Sequence, residues 1–255
     1  MTSIPTIATS QQSMSMRLIL ARQNSDLNTL SQEAASGMKQ DVYADGGGRA
    51  AKALDMRARL ETSQAFMDSN TLLQGRLNVM ENTMAAIADS AGDFQNIAVT
   101  GSIPTDNRDI YRDQARHTLN AIIDKLNVSY RGEYLYSGLA TDQKAVEVNA
   151  AGTGVDYLGD VTGWSVARID QDTDMDYGVR ADDPAFSRLF EGLELVLATD
   201  LNALSQAEFG VLLNDVAVSM NEGLTALTSR QAMLGNHQNT VQNKIDAQQG
   251  LINIY

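Results

Sequence analysis

The residues able to do chemistry are few and scattered. Cysteine is absent, so no disulfide, thiolate nucleophile or cysteine-held metal can form. The two histidines, His117 and His237, fall in different helical stretches, and neither has a carboxylate at a spacing that would build a metal site or a base pair. A half-exposed place on a helix seam suits them better. Aspartates alternate in the stretch DQDTDMD, residues 170–176, as they do at the start of a calcium loop. Counted from Asp170, the required glycine falls on Met175 and the bidentate glutamate on Ala181; counted from Asp172, the glycine falls on Tyr177. A solvated acidic loop remains. Gly46-Gly47-Gly48 precedes a helical stretch, but Gly48-Arg49-Ala50 offers neither the Gly-Lys-Ser/Thr of a phosphate cradle nor a strand before a dinucleotide turn. The sequence therefore assigns no catalytic residue, no metal ligand and no cofactor, and it does not predict an enzyme.

What the chain does supply is helix. It is 43% apolar over 255 residues yet only 5% aromatic, with 3 prolines, a mixture that suits narrow helical seams rather than a broad aromatic core. Formal net charge is −13, without the basic stripe that phosphate backbones require, so nucleic acid is not an expected partner. No stretch approaches the roughly 20 apolar residues of a membrane span, and the N-terminal residues up to Arg17 lack the pattern of a signal peptide. A membrane is not expected either, and export would use a route that reads no cleavable signal.

Apolar residues at Met16, Leu20, Leu27, Leu30 and Ala34 mark one face of a helix over residues 10–36, with Gly37 as its stop. After a loop through the triple glycine, helix resumes at Arg49. From Leu73 the steps become regular: Leu77, Met80, Met84, Ile87, Ala91, Phe94 and Ala98 follow at intervals of four and three, a coiled-coil seam. Gly101 to Pro104 breaks it, Thr105 or Asp106 is placed to cap the next helix, and Ala115, Leu119, Ile122 and Leu126 carry a third seam to about Tyr130. So short a break predicts antiparallel helices.

Residues 133–183 differ in kind. Eleven acidic and three basic residues give the stretch a charge of −8. Short β-prone pieces at 134–137, 145–148, 155–158, 164–169 and 177–179 alternate with turn residues. We expect a solvent-facing, separable β module inserted in a helical frame. Pro184 then opens a helix to Ala198. Ser205 and Glu208 form a capping box for a last helix whose seam runs Phe209, Leu213, Val216, Met220, Leu227, Leu234, Val241 and Leu251. It reaches Tyr255 with no stop signal, as a helix cut short.

With that layout in hand, three passages resemble the flagellin superfamily. LSQEAASGMKQDVYADGGGRAAKALDMRARL, residues 30–60, is similar to its N-terminal helix, Ser-Gly, loop and second helix. RGEYLYSGLATDQKAV, residues 131–146, resembles the aromatic-Ser-Gly passage after the third core helix in the family's hook–filament junction branch. LTSRQAMLGNHQNTVQNKID, residues 227–246, resembles the C-terminal core helix, where an arginine and a Leu-Gly pair recur. The chain departs from the branch at Asp45-Gly46-Gly47, where Asp-Asp-Pro is common.

The resemblance implies a mainly α fold, an elongated helical bundle or coiled-coil core built from the N- and C-terminal segments, with a small β-containing insert. In these terms residues 1–40 are the N-terminal helix of an inner assembly layer, 41–132 and 184–255 the two parts of the helical core, and 133–183 the acidic insert. The implied function is structural: an axial flagellar subunit that passes through the flagellar type III channel and self-assembles into a ring. Its neighbours would be another hook-associated protein and flagellin, with an export chaperone before assembly. Leu20, Leu27, Leu30, Leu234, Val241 and Leu251 are the expected partner-facing residues; Leu73, Leu77, Met80, Met84, Leu213, Val216 and Met220 the expected core seam. Flagellin itself is the nearest alternative. A cytoplasmic coiled-coil adaptor is the alternative of another class, disfavoured by the β insert.

Overall fold

A computed structural model describes the backbone of residues 5–36, 47–100 and 107–254, and the side chains of 14–35, 50–100 and 107–254. The expected stop at Gly37, the loop to Gly46 and the caps at Thr105 and Asp106 lie outside them. Helices α1 (Pro5–Ser36), α2 (Gly47–Thr100) and α3 (Arg108–Leu126) are followed by three small hairpins: β1–β2 (Ser129–Tyr130, Glu133–Tyr134), β3–β4 (Val146–Val148, Val155–Tyr157) and β5–β6 (Val166–Asp170, Thr173–Asp176). Helices α4 (Pro184–Ala198) and α5 (Gln206–Ile254) complete the chain. The contacts divide it into two compact units, one running to Glu61 and one from Thr62 to Ile254.

In the first unit, α1 has no buried side chain between Met14 and Ala35. Its apolar residues are open: Leu20, Leu27 and Leu30 are 53%, 64% and 60% exposed. The triple glycine is not wholly a turn, because α2 already includes Gly47 and Gly48. Glycine costs least in a first helical turn, where the N–H groups lack intrahelical partners in any case.

The second unit is built on α2 and α5 lying antiparallel. The Gln238 side chain donates to Asn78 and Glu81 at one level, and Gln95 donates to the Ala217 carbonyl at another. Between them Leu77, Met80, Met84, Ile87 and Phe94 meet Val216, Met220, Leu227, Leu234 and Val241, all of them buried. Each such side chain contributes roughly 1.5–3 kcal/mol on leaving water. Helix α4 lies along α5 in the opposite sense and very close: a Cβ on Gly223 would meet the Leu189 side chain at 2.5 Å. Asp183 caps α4 through the Ala185 N–H at 3.0 Å, with Pro184 in the first turn, and the Ser205–Glu208 box opens α5 with reciprocal bonds of 2.7 and 3.3 Å. Hydrogen bonding from Ser205, its hydroxyl first and its N–H second, holds the Glu208 carboxyl below its usual range.

The insert departs from expectation in three ways. Helix α3 ends at Leu126, and Ser129–Tyr130 is already strand. Thr173–Asp176, expected as acidic loop, is strand β6, whereas 177–179 is not strand; Asp174 pairs across the hairpin with Arg168 at 2.8 Å, which gives a carboxylate a place on a strand. The insert is also not separable. Tyr136, Val146, Ile169 and Val179 belong to the same apolar core as the helices, and Tyr136 stacks edge-on against Phe186 while its hydroxyl donates to the Met80 carbonyl at 3.0 Å. The three hairpins bury too little apolar area to stand alone, so they fold onto the bundle.

These burials set an expectation for stability. Leu77→Ala should destabilise the chain by about 2–5 kcal/mol, whereas Leu20→Ala should stay within about 0.5 kcal/mol in the monomer. Urea denaturation of the two variants checks this, and similar losses would mean that α1 is packed in solution.

Candidate assembly surface

The expected seam residues come together. Leu73, Leu77, Met80, Met84, Val216 and Met220 are buried in one core, and Leu213 packs against it partly buried. The expected partner-facing residues divide. Leu20, Leu27 and Leu30 are open on α1, and Leu251 is 40% exposed near the end of α5. Leu234 and Val241 correct the expectation: each is fully buried within the chain's own core. The α2–α5 seam extends through both positions, so the neighbour expected for them is already supplied by the fold.

Arg230 of the last helix has a partner in the cap of α4. It reaches the nearly inaccessible Asp183 carboxylate at 2.8 Å, tying α5 to the cap of α4. Removing Arg230, itself partly exposed, would leave the buried Asp183 carboxylate without its cation, so the cap of α4 depends on a residue in the middle of α5.

Beyond Val241 the seam changes character. Asn70, three residues before Leu73, is buried, and its amide donates to the Ile169 carbonyl at 2.9 Å. Ile169 and Asp170 end strand β5, and the Asp170 carboxylate accepts from Lys244 at 2.6 Å and from Gln248 at 3.4 Å. The β5–β6 hairpin is thereby clasped to both long helices at the level where their apolar contacts run out. A second tie lies nearby: Arg76 of α2 donates to the Tyr177 hydroxyl at 2.9 Å and pairs with Glu133. In the sequence Lys244 and Gln248 already fill polar positions of the last helix's seam, whereas the apolar spacing passes over Asn70. Their seam register, three or four residues from an apolar neighbour, is the signal the sequence carries for them.

The same geometry gives two aspartates of the acidic stretch their partners. Asp170 and Asp174 have cationic partners of the chain itself, Lys244 and Arg168. Among the described residues no three His, Asp or Glu side chains stand close enough to hold a metal ion. His237 is half-buried on the α5 seam, and burial lowers its pKa, opposed by the Asp176 charge. His117 is exposed on α3. No described helix is long and apolar enough to cross a membrane.

The described surface thus offers apolar side chains for packing and clasps that fix helices in register. The profile of the bacterial flagellin N-terminal helical region matches residues 7–141, more than half of the chain. No curated protein matches the sequence. Among solved structures, the chain is similar in fold to a protein from Vibrio parahaemolyticus assigned as a flagellar hook-associated protein, at 16% identity and TM-score 0.65, over 81% of this chain and 94% of the other. It is also similar to the flagellar junction protein FlgL from Legionella pneumophila, at 11% identity and TM-score 0.63, over 80% and 97%. FlgL from Bacillus cereus aligns at 15% identity and TM-score 0.57, over 76% and 98%. At such identities the likeness is one of fold.

The clasp has a pH signature. The Lys244 hydrogen bond, foremost, holds the Asp170 carboxyl below its ordinary 3.8. Its contribution is therefore fully present above that value and lost as pH falls through the lower folded one. Protection factors of β5–β6 amides should hold from pH 7 to about 4 and drop below it. Asp170→Asn should lower them at pH 7 and flatten that dependence, and unchanged protection would mean that the clasp does not hold the hairpin.

Proposed function

Because this chain belongs to the bacterial flagellin family, we propose that it is a structural axial subunit of the flagellum, exported and built in at the joint between hook and filament. The exposed stripe of α1 carries the reading. A lone helix of 32 residues gains little from folding while Leu20, Leu27 and Leu30 stay in water, because most helical stability in proteins comes from tertiary packing. In a family of axial subunits, the surface that completes such a stripe belongs to neighbouring subunits. Leu20, Leu27 and Leu30, with Leu251 on α5, are the residues we assign to that contact.

The junction, rather than the filament shaft, is favoured by the fold likeness to a hook-associated protein and to junction proteins. It is also favoured by the Tyr136-Ser137-Gly138 passage. Gly138 has φ +67°, and a Cβ there would lie 2.0 Å from the Asp160 carbonyl; only glycine lets these two backbones bridge. Tyr136 meanwhile roots the insert on α2. On this reading residues 1–40 contribute to an inner layer, the helices of 41–132 and 184–255 form the body, and the insert lies outside it. The protein assembles as a ring between another hook-associated protein and flagellin, is held by an export chaperone beforehand, is extracellular, and acts by packing rather than by catalysis.

Deleting the gene in the source bacterium tests the proposal. The expected result is cells with hooks but few filaments, flagellin released into the medium, and recovery of attached filaments when the gene is restored. Normal filaments in the deletion strain would overturn the junction assignment. Loss of flagellin from both cells and medium would identify the chain as the filament subunit instead.

A further inference from the structure

The only tryptophan of the chain is displayed on the insert rather than packed in a core. Trp164 lies in the loop between β4 and β5 and is 42% exposed, with Leu139 at 55% and Val161 at 50%. The loop is built to hold them there. The Arg180 guanidinium lies 4.3 Å from the Trp164 ring centroid, donates to the Val161 carbonyl at 2.6 Å and pairs with Asp182 at 2.8 Å. Asp160 accepts from both the amide and the hydroxyl of Thr162, and Gly163 sits so close to Leu139 that a Cβ would meet its side chain at 2.5 Å. An exposed aromatic that is already ordered loses little entropy on docking, and tryptophan is prominent among residues that carry binding energy.

Charge narrows what can dock. The insert carries −8 over residues 133–183, so two copies meeting insert to insert would place like charges together. The contacting surface must differ from the patch and lean basic. The most strongly basic stretch of this acidic chain is residues 49–60, with Arg49, Lys52, Arg57 and Arg59 against Asp55 alone. They form the start of α2, where Lys52 and Arg57 are exposed and Leu54 and Met56 are 49% and 39% exposed. Helical spacing sets Leu54 beside Arg57 and Met56 beside Lys52, so apolar surface and positive charge arrive together.

We propose that the Trp164 patch of one subunit docks on residues 49–60 of a second copy of this chain. The two faces differ, so the contact is head-to-tail and repeats from copy to copy into a ring or an open helix, depending on whether the rotation closes. This inference rests on the self-assembly reading above and names the surface that such assembly would use.

Photo-crosslinking tests it. The full chain carries benzoylphenylalanine at Trp164 or, should that variant misfold, at Val161; labelled and unlabelled copies are mixed and concentrated, with light scattering following assembly. The expected crosslinks join the labelled position to residues 49–60 of another copy, and Lys52→Glu with Arg57→Glu should slow association by about tenfold or more. Assembly with crosslinks elsewhere, or at an unchanged rate in the charge-reversed chain, would overturn this contact and leave the junction reading standing. A chain that never associates would overturn both.

Discussion

The seam between α2 and α5 is the interaction on which the rest of the 62–254 unit depends. Both helices are long, 54 and 49 residues, and neither could hold its apolar face in water alone. Set antiparallel, they bury Met80, Met84 and Phe94 against Met220 and Val216. Methionine, which adapts to irregular gaps, fills the middle of the interface. Helix α4 approaches α5 closely at two glycines, Gly223 of α5 beneath Leu189 and Gly192 of α4 beneath Met220. Even the insert is positioned from this seam, since Tyr136 anchors on the Met80 carbonyl.

A purely apolar seam has weak register, because one heptad resembles the next. Polar ties at its far end supply what the repeats lack. Asn70 finds its partner in one backbone carbonyl of β5, and Asp170 accepts from both Lys244 and Gln248, so a slip of either helix by a turn would break the set. Buried polar positions that fix alignment at some expense of stability are a known use of such residues in coiled coils. The insert is then more than an ornament on the bundle, for its third hairpin locks two helices distant in sequence.

Much of this architecture is legible in the amino-acid sequence. Steps of four and three from Leu73 to Ala98 locate the core seam, and Ser205 with Glu208 locates the start of α5, because apolar periodicity and capping are local signals. The β insert is legible in outline, but its edges are not: β6 hides in an aspartate run whose charges are neutralised across the hairpin by Arg168 and from α5 by Lys244. Leu234 and Val241 mislead for a similar reason. Periodicity shows that a residue faces something, and only the fold shows whether that something is the same chain. Asn70 is easily passed over because a polar residue in a seam register looks like a gap until its partner is known.

The apolar side chains of the α2–α5 seam are buried, whereas those of the α1 stripe at Leu20, Leu27 and Leu30 are exposed. Residue-resolved hydrogen exchange on the monomer and on the assembled protein tests this contrast most directly. Amides of residues 73–98 and 209–241 should exchange slowly in both states, and those of 14–35 should exchange quickly in the monomer and become protected on assembly, since protection follows buried contact. Slow exchange across 14–35 in the monomer, or its persistence as a fast-exchanging segment in the assembled state, would contradict it.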